Sequence, residues 1–183
     1  MEHEQFIRKA IELAITSGKK GNYTFGAVLV HNGEIIATAE NTEVTGDGYG
    51  HAEYNLAIES ARQFPERVLR ECTLYTSTTP CERCTFSILA IGVKRIVMRV
   101  SGEAFGRLLT KKFETLSVKE IVSKLGLKDV EILGPVLEQE GMRAFEYWGG
   151  EYRPLEEILQ DARRKREENS APLVFGNGHS DGT

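Results

Sequence analysis

The sequence predicts one α/β domain whose helices cover both faces of a mixed sheet, and two observations carry that prediction. An Asn32-Gly33 pair joins two β-rich runs, and beyond it short apolar runs alternate with helix-period segments. A tight hairpin is antiparallel, whereas strands reached through helices are parallel, so one sheet has to contain both pairings. With 183 residues the chain can bury one sizeable core.

Phe6, Ala10, Leu13 and Ala14 recur at i, i+4, i+7 and i+8, which predicts an amphipathic helix ending near Gly18. The hairpin runs from Phe25 to Ala39, with His31 a surface residue beside its turn. Residues 41–50 are polar and glycine-rich, hence a loop. Tyr54, Ala57, Ile58 and Ala61 place a buried face on the next helix, which Pro65 stops. Cys72–Ser77 reads as a short strand with Cys72 in the core, Cys81–Gly92 as a nearly all-apolar and therefore buried helix, and Lys94–Val100 as an interior strand. Ser117–Gly126 is a helix and Val130–Leu133 a strand. Leu137, Gly141, Ala144, Phe145 and Trp148 mark a further helix face. Pro154 opens a last helix with Leu155, Ile158, Leu159 and Ala162 on one side. The domain is expected to fill residues 1–168, leaving 169–183 as a polar tail that holds His179.

Glu2, Glu4 and Glu12 break any leader-like apolar stretch, and no run reaches the roughly 18 apolar residues of a membrane span. A cytoplasmic location is expected, in which Cys72, Cys81 and Cys84 are thiols or metal ligands and not disulfides. A net charge of −4 and a pI near 5.7 argue against a nucleic-acid partner gripped over a broad surface. The basic run Arg163–Arg166 has acids on both sides and reads as a solvated helix end.

Two short motifs carry the chemistry. Cys81 and Cys84 stand at i and i+3 in the first turn of a helix, where the partial positive charge of the N-terminus favours thiolate, the form that binds zinc. His51 and Glu53 open another helix about thirty residues earlier. Alone, the cysteine pair could be a redox motif and the His-x-Glu a helix start. Together, an imidazole and two thiols are three zinc ligands, and a three-ligand site keeps the open position of catalytic zinc. Zinc brings the pKa of water to roughly 7, and a carboxylate two residues from the histidine can move its protons. Positions i and i+2 do not share a helix side, so the arrangement requires two helices pointing their N-termini at one metal.

These residues, "HAE" at His51–Glu53 and "PCERC" at Pro80–Cys84, resemble the cytidine/deoxycytidylate deaminase superfamily. "FGAVLVHNGEII", "AEN", "HAEYNLAIESA" and "CTLYTSTTPCERCTFSILAIGVKRIVM" are similar to its bacterial nucleoside and nucleobase deaminase branch. The resemblance implies a three-layer α/β/α fold with a central five-stranded mixed sheet, a homodimer, zinc on His51, Cys81 and Cys84, and Glu53 as proton shuttle. It also puts Asn41 where the family hydrogen-bonds its base and Phe25 near the pocket wall. Phe105 is a candidate ring-stacking residue beside Phe25, with Phe145, Tyr147 or Trp148 from the last third. Thr24 replaces a frequent proline, "DGYG" brings Tyr49 to the expected pocket rim, and Phe86 stands where many relatives have a small residue.

The expected activity is hydrolytic deamination of a small aminated heterocycle, a free base such as guanine or cytosine, or a nucleoside. The alternative is a tRNA-specific adenosine deaminase, which needs a positive surface for the RNA. A catalytically silent zinc domain is the third reading, against which Glu53 stands.

Overall fold

The computed structural model describes residues 3–46, 48–109 and 116–170. The chain runs α1 (Glu4–Lys19), β1 (Gly26–His31), β2 (Glu34–Glu40), α2 (Ala52–Gln63), α3 (Glu66–Leu69), β3 (Thr73–Thr76), α4 (Glu82–Ala90), β4 (Arg95–Met98), α5 (Gly102–Gly106), α6 (Val118–Lys124) and β5 (Glu131–Leu133). It closes with α7 (Glu138–Met142), a 3-10 turn (Arg143–Glu146), β6 (Tyr147–Trp148), β7 (Glu151–Tyr152) and α8 (Leu155–Ser170). The last helix passes the expected boundary at 168 by two residues; residues 171–183, His179 among them, lie outside the described residues.

Five strands form one sheet in the order β2-β1-β3-β4-β5. β1 pairs antiparallel with β2 and β3, while β3–β4 and β4–β5 are parallel. The sheet is mixed, as the hairpin and crossovers require. Asn32 and Gly33 both take positive φ, the geometry that a tight hairpin turn demands.

Alternation along the strands divides the core into two layers. Val28, Val30, Tyr75 and Val97 meet Phe6, Ile7, Ala10 and Ile11 of α1 on one face. Ala27, Leu29, Leu74, Ile96 and Met98 meet Ala52 and Leu56 of α2, Ile88 of α4 and Val118 of α6 on the other. Cys72 is 1% exposed within this second layer, and its thiol donates to the Val68 carbonyl oxygen. His31 pairs with Glu71 at the surface.

Four expectations are corrected. On α2 the buried positions are Ala52, Glu53, Leu56, Ala57 and Ser60, while Ile58 and Ala61 are exposed and Tyr54 half-buried. The helix is rotated so that a carboxylate faces inward. α4 buries Cys84, Thr85 and Ile88 but turns Phe86 out, 51% exposed. Leu137–Trp148 is not one helix: α7 gives way to a 3-10 turn and a strand, because Gly149 and Gly150, both at positive φ, close a second hairpin. Arg166 is not solvated like Arg163, Arg164 and Lys165; it is half-buried and donates to the carbonyl oxygens of Gly106, Arg107 and Leu109 past the end of α5.

α1 lies so close to the start of β1 that a Cβ on Gly26 would sit 2.4 Å from the Ala10 carbonyl oxygen and 2.6 Å from the Ala14 nitrogen. Backbone cannot yield there as a flexible side chain would. Gly26→Ala is expected to lower stability by about 1–3 kcal/mol, read as a lower urea midpoint at unchanged slope.

Candidate active site

β3 ends at Thr76, and the turn that follows delivers Pro80 and Cys81 to the start of α4. Cys81 is the N-cap of α4 and His51 the N-cap of α2, both with extended backbone and neither using its side chain to cap. Their side chains are therefore free to face each other. His51 Nδ1 lies 3.5 Å from both Cys81 Sγ and Cys84 Sγ, and the three donor atoms fall within 4.8 Å of one another. This is the one such grouping among the described residues.

One imidazole nitrogen and two sulfurs, in this spacing, are a donor set that suits zinc and leaves a coordination position open. One of the two thiols is already held toward the thiolate form that zinc takes. The Cys84 thiol donates to Cys81 and, with His51 beside it, drives Cys81 down to about 4 against the opposing effect of burial. The same shared proton, with burial, pushes Cys84 well up. His51 is raised by its hydrogen bond to Cys81.

Glu53 stands in the first turn of α2, 4% exposed, so His51 and Glu53 converge because one precedes the helix and the other is inside it. Burial pushes the Glu53 carboxyl up, partly offset by the Thr76 hydroxyl, which donates to Oε1 at 2.5 Å. A cavity of about 940 Å³ opens over this group. His51, Glu53 and Cys81 form its floor, and Phe25, Phe105, Tyr23 and Trp148 contribute aromatic wall. Phe25 meets Phe105 edge-on at 5.7 Å and Trp148 at 5.6 Å, and the buried Phe145 backs all three. Tyr147 instead packs against Tyr152 and under Lys19.

Asn41 is fully buried and does not line the cavity, but its backbone N–H donates to the Phe25 carbonyl and its Oδ1 accepts from the Glu43 N–H. Phe25 and Glu43 are both lining residues, and Asn41 Nδ2 has no hydrogen-bond partner among the described residues. Tyr49 lies away from the rim, 65% exposed, and Arg83 packs over both its ring and that of Tyr54. Phe86 points to solvent and leaves the cavity's shape alone.

Glu43, Thr76 and Asn22 went unnoticed in the sequence. Glu43 Oε2 sits 3.1 Å from His51 Nε2. Asn22 accepts from the N–H groups of Val44 and Thr45 and so holds the loop that carries Glu43. None follows a periodic pattern. Only Thr76, on the strand that leads to the cysteine pair, could have been suspected from its place.

Sheet order, helix placement and a nitrogen–sulfur triad beside an inward carboxylate define a zinc-type deaminase. Residues 1–100 match the family model for the cytidine and deoxycytidylate deaminase zinc-binding region, and the chain belongs to that family. A probable cytosine deaminase of Schizosaccharomyces pombe is 30% identical over 153 residues, covering 79% of this chain and 91% of that one. A tRNA-specific adenosine deaminase of Aquifex aeolicus is 29% identical over 107 residues, 58% of this chain and 71% of its own. A solved guanine deaminase from Nitrosomonas europaea shares the fold with a TM-score of 0.68 over 86% of this chain and 84% of that chain, at 17% identity.

Replacing Cys81 or Cys84 by Ser, or His51 by Ala, is expected to abolish stoichiometric zinc. Elemental analysis of the purified variants checks this, with wild type at one zinc per chain.

Proposed function

We propose that the chain is a hydrolytic deaminase of a free nucleobase, with cytosine the first candidate and guanine the second. The observation that carries the reading is the buried Glu53 carboxylate in the floor of an aromatic-walled cavity beside the triad. His51, Cys81 and Cys84 would hold zinc, which supplies the Lewis acidity that makes water reactive at neutral pH. Glu53 takes a proton from the attacking water, gives it to the ring nitrogen next to the amino-bearing carbon, then takes the second proton from the added hydroxyl and passes it to the departing amine. Water's oxygen ends as the ring carbonyl, the carbon–nitrogen bond breaks, and ammonia leaves. Thr76 holds one Glu53 oxygen. Phe25, Phe105 and Trp148 present ring faces or edges to a flat base.

The cytosine relative supports a pyrimidine, since its likeness extends over most of both chains. Among the described residues the cavity carries Glu43, Glu82 and Glu103 and no Lys or Arg, which favours an uncharged base over a phosphate-bearing substrate. The three free thiols fit a reducing compartment, the cytoplasm.

A homodimer is the second part of the proposal. The strip of Tyr54, Ile58 and Ala61 has helical apolar spacing yet faces outward, next to the exposed Phe86 of α4. α2 thus has two apolar sides, one on the sheet and one that faces outward with Arg83 over Tyr54 at its edge, and a second copy fits the latter. No described helix is long and apolar enough to cross a membrane.

Glu53→Gln is expected to keep zinc and fold while ammonia release falls about 10²–10⁴-fold. The check is an ammonia assay with cytosine, guanine, cytidine, adenosine and tRNA; release from tRNA alone would replace the free-base reading with RNA editing. Phe86→Glu is expected to convert a two-chain particle into single chains by light scattering. A wild type already monomeric removes the dimer.

A further inference from the structure

We propose that Glu43 is a positioning residue for the metal-binding histidine: its carboxylate accepts the His51 Nε2–H, fixes the ring's tautomer and direction, and thereby strengthens zinc binding. The inference rests on the reading of His51, Cys81 and Cys84 as zinc ligands.

The two ring nitrogens of His51 face different partners. Nδ1 points toward the two sulfurs at 3.5 Å each, and Nε2 meets Glu43 Oε2 at 3.1 Å. A neutral imidazole has one N–H and one lone pair, so with the Glu43 carboxylate as acceptor at Nε2 the hydrogen would stand there and the lone pair at Nδ1. That is the tautomer a metal beside Cys81 and Cys84 requires. A carboxylate on the far nitrogen also fixes the direction of the ring toward the two sulfurs. Glu43 is not itself a ligand, because it lies on the side of the ring away from the sulfurs and outside the triad.

The carboxylate works from a fastened loop. Glu43 N–H donates to Asn41 Oδ1 at 3.0 Å. The next two N–H groups, of Val44 and Thr45, donate to Asn22 Oδ1 at 3.0 and 2.9 Å, and Asn22 is 2% exposed. Asn22 in turn accepts from the Gly149 N–H, which ties the loop to the β6–β7 turn beside Trp148. Three consecutive backbone positions are therefore pinned where Glu43 needs its direction, and little rotational freedom is left to lose when the ring is engaged. No other carboxylate is paired with His51 Nε2 among the described residues.

The experiment measures zinc affinity of the full chain by competition with a chromogenic chelator, for wild type, Glu43→Gln and Glu43→Ala, beside melting curves of the zinc-free proteins. Glu43→Ala is expected to bind zinc roughly 10–100-fold more weakly. Glu43→Gln keeps an acceptor oxygen and is expected between the two, with zinc-free melting temperatures unchanged. Wild-type affinity in either variant overturns the assignment, and so does a loss that merely follows a lower zinc-free melting temperature. Should Glu43→Ala not fold, Glu43→Gln decides alone. Both readouts concern zinc and not ammonia, so the failure of this inference and the failure of the free-base reading are separate results.

Discussion

Two helix N-termini meet at one point, and most of the structure follows from that constraint. Each carries unpaired N–H groups and partial positive charge, so bringing two together is unfavourable unless anionic groups lie between them. Cys81, held toward thiolate, supplies that charge, with Cys84 and Glu53 beside it. The N-cap positions hold His51 and Cys81 and not a capping Ser, Thr, Asp or Asn, which gives up about 0.5–2 kcal/mol at each helix start. What holds α2 and α4 in place is instead the face they share on the sheet, through Leu56, Ile88, Leu74 and Ile96. The core fixes the helix axes, and the axes fix the metal site.

This constraint explains why some of the molecule was legible in the sequence and some was not. Asn32-Gly33 is a local signal with one geometric solution, and it forms the expected turn. The cysteine pair and the His-x-Glu are also local, and their spacing states their geometry once both are placed at helix starts. The face of α2 failed because periodicity assumes that charged residues point outward. Here Glu53 takes an inward place, with Ser60 two turns on, so the apolar strip of Tyr54, Ile58 and Ala61 turns to the surface. A helix with two apolar sides does not reveal from its spacing which side meets its own sheet. The stretch before residue 150 failed for a different reason: Gly149-Gly150 is as good a hairpin signal as Asn32-Gly33, but the apolar residues before it also fit a helical period.

Departures from the family pattern acquire physical sense in the fold. Thr24, where a proline is frequent, is buried and donates its hydroxyl to the Tyr147 carbonyl oxygen, which a proline cannot do. That bond and the Asn22–Gly149 bond fasten the β6–β7 hairpin to the chain entering β1. Trp148 is thereby held against Tyr23 and Phe25 at the cavity wall. The last third of the chain thus supplies one side of the site through backbone groups, the Tyr147 carbonyl accepting and the Gly149 N–H donating, a kind of contact that leaves no trace in residue type.

Metal chemistry and substrate choice are therefore encoded differently. Three metal-type donors and an inward carboxylate sit on two helix starts, within four residues of each other at each start, and any sequence that keeps those starts keeps that arrangement. The wall of the cavity is assembled from Tyr23 and Phe25 before β1, Glu43 after β2, Phe105 in α5 and Trp148 in β6, segments far apart along the chain. They meet only in the folded chain, and none of them is a helix-start residue that holds the triad or Glu53. Selection among bases can then drift while deamination itself stays fixed, which is the division that a shared zinc-binding region among relatives named for cytosine and for tRNA adenosine requires.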